Sequence, residues 1–203
     1  MAAVLSSDMD KTDKVVTLID ECNRMGLTVE PPDVNASQYM FTVSGPKSIR
    51  YGLGAIKGVG QAAVENMLEE RNAHGHFRDL RDLCRRLDLN KVNRRVLEAL
   101  IRSGAADSMG GMRYRSTLMH QLPAAMQAAD QSTRAREAGQ EDLFGLTEPV
   151  PAAAIRVAAE ADAKVMQETL PEWGEAVRLT GERETLGLYL TGHPIAEYER
   201  ELR

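Results

Sequence analysis

Cysteine is scarce: Cys22 and Cys84 are the only two in 203 residues. Two thiols cannot staple a disulfide scaffold, so the chain must rely on a packed core, and a reducing cytoplasmic setting is expected. Aromatic residues make up 4% of the chain, with a single tryptophan, Trp173. That points to a helix-rich protein packed with aliphatic and Met side chains. No apolar run approaches the roughly 20 residues that a bilayer-spanning helix needs, so no membrane partner is expected. The start, Met1-Ala2-Ala3-Val4-Leu5-Ser6-Ser7-Asp8, lacks the basic and apolar regions of a signal peptide. Metal-binding patterns are missing too. Asp8 and Asp10 have no third ligand, and His74, His76 and Cys84 have no fourth at a zinc-like spacing. No metal or cofactor is therefore expected in this chain.

Positive charge is short overall, at a net −5, but it is unevenly spread. Residues 71–102 hold Arg71, Arg78, Arg81, Arg85, Arg86, Lys91, Arg94, Arg95 and Arg102 against Asp79, Asp82, Asp88 and Glu98. The acidic balance comes largely from the last third. A basic block inside an acidic chain can still meet phosphate; the alternative is a solvated helix face of mixed charge.

Apolar periodicity predicts a helix over 8–25, with Val15, Val16, Leu18, Ile19 and Cys22 on one stripe, Thr12 or Asp13 as cap and Gly26 as stop. Leu27–Asn35, with Pro31-Pro32, reads as extended. Tyr39–Val43 and Ser48–Leu53, around Ser44-Gly45-Pro46, read as a β-hairpin. A long helix is expected from Tyr114 to Ala138, with a possible break at Pro123 and a cap at Gly139. Residues 147–171 read as a linker. Glu182–Leu190 and Ile195–Arg203 read as short helices, and the lack of a closing signal after the last suggests a longer polypeptide. The expected fold is mainly α, with a small β-hairpin before a pair of helical hairpins and an extended linker after them.

The sharpest pattern is Leu53-Gly54-Ala55-Ile56-Lys57-Gly58-Val59-Gly60-Gln61-Ala62-Ala63-Val64. A short apolar helix leads into Gly-Val-Gly, and a second helix follows over Gln61–Arg71. Glycines at 58 and 60 permit φ > 0 and close approach of a phosphate, while Val59 anchors the turn. The free N–H groups and positive dipole end of the next helix face the same place. That makes a phosphate grip that reads no bases, formed by Lys57, Gly58, Val59, Gly60 and Gln61. The other reading is a tight helical hairpin without a ligand. A second helix pair follows, with Leu80, Leu83 and Leu87 facing Val96, Leu97, Leu100 and Ile101. It resembles a degenerate copy whose glycines are lost, with Lys91, Asn93, Arg94 and Arg95 at its turn. Asn93 is suited to cap the second helix. This pair either binds phosphate through point charges or only supports the first.

A different signal is Gln140-Glu141-Asp142-Leu143-Phe144-Gly145-Leu146. Adjacent bulky apolar residues outside periodic structure suggest an anchor for a partner's pocket, unless they fold back on their own core. Gln140, Asp142, Leu143 and Phe144 match the Gln-x-x-Leu-Phe peptide by which bacterial proteins dock on the ring-shaped β sliding clamp.

Taken in order, Pro31-Pro32-Asp33-Val34-Asn35-Ala36-Ser37, Tyr51–Gly60, Asn93-Arg94-Arg95-Val96-Leu97-Glu98, Ser103-Gly104-Ala105, Gln140–Gly145 and Gly181–Pro194 resemble the bacterial replicative DNA polymerase III α-subunit family along nearly the whole chain. Ala106 departs from the Phe expected there. The resemblance implies the end of the fingers over 1–52 and a tandem helix-hairpin-helix domain holding duplex DNA over 53–110. A long helix over 111–139, the clamp-binding peptide over 140–146, a linker over 147–171 and a helical lead-in to an OB-fold over 172–203 follow. It further implies a DNA-directed DNA polymerase as the whole subunit, bacterial and nucleoid-associated, with other holoenzyme subunits as partners. Its catalytic aspartates and Mg would lie upstream, so no catalytic residue is expected here. Rival readings are an error-prone paralogue, a stand-alone DNA-binding clamp adaptor, and a purely structural helical domain.

Overall fold

In the computed structural model, residues 1–109, 115–141, 164–192 and 194 are described, the side chains of 135–141 excepted. The elements are α1 (Ala2–Ser7), α2 (Thr12–Arg24), β1 (Thr28–Glu30), β2 (Thr42–Gly45), β3 (Ser48–Arg50), a 3₁₀ turn at Leu53–Ala55, α3 (Gln61–His74), α4 (Leu80–Arg86), α5 (Arg94–Arg102), α6 (Arg115–Glu141) and α7 (Glu175–Leu186). Helix dominates, as the periodicity implied.

The helix expected over 8–25 is α2, which starts only at Thr12, and a separate short helix that the periodicity did not announce, α1 (Ala2–Ser7), precedes it across Asp8–Lys11. Lys11 occupies the α2 cap position without a side-chain bond, so neither Thr12 nor Asp13 caps it. Gly26 does end α2. The N–H groups of Gly26 and Leu27 donate to the carbonyls of Asn23 and Cys22, which is the paired bonding of a Schellman stop.

The extended segment after Gly26 becomes a strand. β1 pairs in parallel with β3, Val29 opposite Ile49. β2 pairs antiparallel with β3, with an irregularity between Val43 and Gly45. The expected two-stranded hairpin is thus the β2–β3 half of a three-stranded sheet ordered β1-β3-β2. Pairing between segments far apart in sequence leaves no local signal, so the residues of β1 announce only an extended backbone.

One core unites these parts. Buried apolar residues from Leu5 to Leu186 form a single cluster that takes in Tyr51, Phe77, Leu83, Leu97 and Leu122. Each such Leu contributes about 1.5–3 kcal/mol through removal from water. Both cysteines lie in it, and burial, aided by Asp79, pushes the Cys84 thiol up to about 12. The Asp33–Ser37 loop is tied in by Arg71, whose guanidinium donates to the carbonyls of Val34 and Ser37 at 3.0 and 2.7 Å. Asn35 exchanges bonds with the Phe77 backbone.

Downstream, α6 runs unbroken through Pro123 and past Gly139 to Glu141, so Gly139 is an interior residue and not a cap. Proline removes one N–H from the ladder, and a helix of 27 residues retains enough bonds to continue. The end of the expected linker is docked. Gln121 donates to the carbonyls of Met166 and Glu168, and Ser116 to that of Pro171. The helix expected over Glu182–Leu190 starts earlier and stops sooner, spanning Glu175–Leu186 with Gly187 as its left-handed stop. The expected helix over Ile195–Arg203 lies outside the described residues.

Candidate nucleic-acid interface

The first hairpin begins with a 3₁₀ turn of three residues where a short helix was expected. Ile56 then turns extended, and Val59 is buried beneath the loop. Lys57, Gly58, Gly60 and Gln61 stay exposed. Gly58 has φ +89, a region that a side chain disfavours. Gly60 does not need that freedom: its φ is −80. A Cβ at either glycine would meet nothing within 4 Å, so the turn is bare toward solvent. α3 then continues three residues past the expected Arg71, to His74.

The N-terminus of α3 carries no side-chain cap. Ala63 and Val64 donate back to the Gly60 carbonyl, and Val59 donates to that of Ile56. Among the described residues nothing accepts from the N–H groups of Gly58, Gly60, Gln61 or Ala62. Unsatisfied donors at a dipole's positive end make an anion site. Behind the turn, the Lys57 N–H donates to the Thr185 carbonyl at 2.8 Å, so α7 holds the loop from the protein side. The Gln61 amide bonds to Glu65 at 2.7 Å and is not aimed at the turn.

The second hairpin is built differently. Leu80, Leu83, Leu87, Val96, Leu97, Leu100 and Ile101 are all buried, as their spacing implied. Asn93 caps α5 by accepting from the Val96 N–H at 3.2 Å. Asp88 organises the turn, its carboxylate accepting from the Asn90 N–H at 3.0 Å. These donors are therefore internally used, and what faces water is charge: Lys91, Arg94 and Arg95 are exposed. Arg94 shares Glu98 at 2.8 Å, whereas Lys91 and Arg95 have no ion pair among the described residues. Replacing Asn93 by Ala is expected to cost about 1 kcal/mol through loss of the cap, read as a lower urea midpoint.

The second turn is tied to the middle of α3. The Asp88 N–H donates to the Asn66 side chain at 2.9 Å. Asn66 lies five residues beyond Gln61, roughly 7.5 Å along the axis. Charge counting missed that the basic block is split. Arg71 is buried, and Arg86 sits over the Phe77 ring at 4.3 Å while bonding the Glu70 and Gly75 carbonyls. Both are structural. Arg102 pairs with Glu184 at 2.9 Å.

Asp8, the one acid of the N-terminal pair with close partners, is bonded by Lys14, which holds its carboxyl below the usual range. His74 pairs with Glu70 and is exposed, away from buried Cys84. Among the described residues no group of three His, Cys, Asp or Glu side chains converges as a metal site would require. Nor is any helix long and apolar enough to cross a membrane. Of the clamp-peptide residues, Gln140 lies in the last turn of α6, its side chain outside the described residues, and Asp142, Leu143 and Phe144 lie wholly outside them.

A family described as a helix-hairpin-helix motif matches residues 26–116, which contain both turns. The chain is 52% identical over 202 residues to a DNA polymerase III subunit alpha of Vibrio cholerae. It is 50% identical over 204 residues to that of Escherichia coli, and 47% over 216 residues to that of Pseudomonas aeruginosa. Each match covers 100% of this chain and 16–18% of the relative's length.

Proposed function

The chain belongs along its whole length to the DNA polymerase III α-subunit family, and from that premise we propose that it is the segment that holds duplex DNA and tethers the polymerase to its clamp. The observation that carries this reading is the bare turn at Gly58–Gly60, with its unaccepted N–H groups at the uncapped start of α3. A phosphate diester oxygen fits there without any base being touched. Lys91, on the turn that Asp88 joins to Asn66 of α3, and Arg95, at the start of α5, add exposed point charges. The surroundings are preorganised, since Val59 and the Thr185 carbonyl fix the loop before DNA arrives.

Gln140, in the last turn of α6, and Asp142, Leu143 and Phe144, which come next in the sequence, supply the second attachment, to the β sliding clamp. Two weak attachments on one body act through effective concentration, so neither must be strong alone. Nucleotidyl transfer and its Mg are assigned to the rest of the subunit; among the described residues no group of three His, Cys, Asp or Glu side chains gathers as a metal site would need, and no step is assigned through one.

Duplex binding by the chain is expected to be sequence-neutral and salt-sensitive. Three or four phosphates neutralised by Lys57, Lys91, Arg94 and Arg95 give a slope of log K against log salt of about −3. Fluorescence anisotropy on two unrelated duplexes checks this. A strong preference for one sequence, or a flat salt response, contradicts a phosphate grip.

A further inference from the structure

We propose that the groove between α4 and α6 is a second contact for a phosphodiester backbone, carried by Arg78, Arg81 and Arg85. The three line the groove with Ala128, Ala129 and Ser132 of α6 on the facing side. All three are exposed, Arg81 and Arg85 on α4 and Arg78 just before it. Arg81 and Arg85, four residues apart on α4, lie on one helix face about 6 Å apart along the axis, and Arg78 stands just before the extended cap residue Asp79.

The acids around them are already engaged. Asp79 caps α4 by accepting from the Asp82 N–H. Asp82 accepts from the Arg78 N–H at 3.2 Å and pairs with Arg86 at 3.3 Å, leaving Arg85 at 3.5 Å. Glu70 is taken by His74 and Arg86. Asp130, on α6, pairs with Arg134 at 2.9 Å. Arg78 and Arg81 have no carboxylate partner among the described residues. A guanidinium fork suits phosphate oxygens in pairs. No aromatic ring lines the groove, so bases have nothing to stack on, and the contact is to backbone. The floor offers only alanines and a serine, not the apolar pocket that an acidic peptide would use as its anchor.

The site is separate from the hairpin turns. Glu70 and His74, which line an adjoining cavity that shares Arg78, Asp82, Arg85 and Ser132 with the groove, lie nine and thirteen residues beyond Gln61, about 14–20 Å along α3. A duplex gripped at the start of α3 leaves this groove for another stretch of nucleic acid, either further duplex or a single strand.

The test is binding of labelled duplex and single-stranded oligonucleotides by the 203-residue chain, by the triple variant Arg78→Gln, Arg81→Gln, Arg85→Gln, and by Gly58→Val. Arg24→Gln is the control, its only ion pair among the described residues being with exposed Glu21. The triple variant is expected to bind about tenfold more weakly at low salt, with a slope shallower by about 2–3. The arm that responds, duplex or single strand, identifies the strand held. Unchanged affinity and slope on both arms overturn the proposal, as does absence of binding by the wild-type chain. Displacement by polyglutamate more effectively than by an oligonucleotide of equal charge overturns it in favour of an acidic protein. If Gly58→Val loses duplex while the triple variant binds normally, only the groove proposal fails; the reverse pattern sinks the hairpin reading and leaves the groove.

Discussion

Glu182→Ala is expected to destabilise the chain by about 3–5 kcal/mol, because removing one member of a buried ion pair strands the other. Glu182 and Arg115 are both buried and meet at 3.0 Å. The same carboxylate accepts from the Leu190 and Thr191 N–H groups and from the Thr191 hydroxyl at 2.8, 3.1 and 2.7 Å. Arg115 also grips Asp107 at 2.8 Å. The Glu182–Arg115 pair thus joins the start of α6, the segment after α7 and, through Asp107, the loop after α5. Glu184, on the same helix, pairs with Arg102 in the open, the two side chains being 56% and 47% exposed. Its replacement by Ala is expected to cost under about 1 kcal/mol. Urea unfolding of the two variants measures the contrast; equal midpoints would show that the buried carboxyl is not a hub. Because α7 also supplies the Thr185 carbonyl to Lys57, the loss reaches the DNA grip.

Replacing Leu143 and Phe144 by Ala is expected to abolish co-elution with the β sliding clamp while leaving helical content unchanged. Burying a Leu and a Phe side chain in a partner's pocket contributes about 1.5–3 kcal/mol each. Together that is about 3–6 kcal/mol, or two to four orders of magnitude in affinity. The contact is apolar, so it should persist at salt concentrations that strip the chain from DNA. Co-elution of the double variant at wild-type levels would remove the peptide's docking role.

Much of the local structure was legible because it is written locally. Leu80, Leu83 and Leu87 face Val96, Leu97, Leu100 and Ile101 with the period of two packed helices, and Asn93 precedes Val96 by the three residues a cap requires. Gly58-Val59-Gly60 announced an open turn with a buried anchor, and the turn has both. What failed depends on distant partners. β1 exists because β3 offers it a parallel edge. Residues 166–171 lie along α6 because Ser116, Thr117 and Gln121 bond their backbone. Arginines looked alike in a charge count, yet Arg71 and Arg86 face inward to carbonyls while Arg78, Arg81 and Arg85 face out. Nothing in a string of letters separates these fates, because the carbonyls that claim Arg71 arrive from the Val34–Ser37 loop.

The most direct test of the phosphate grip is duplex titration of a chain carrying Gly58→Val and Gly60→Val. A Cβ at either position meets nothing within 4 Å, so the fold should survive apart from strain at Gly58, and circular dichroism verifies it. Bulk over the turn then blocks close approach of a phosphate. Duplex affinity at low salt is expected to fall at least about tenfold, equally on unrelated sequences, consistent with losing one or two charge-assisted bonds. Wild-type affinity in a correctly folded double variant would contradict it.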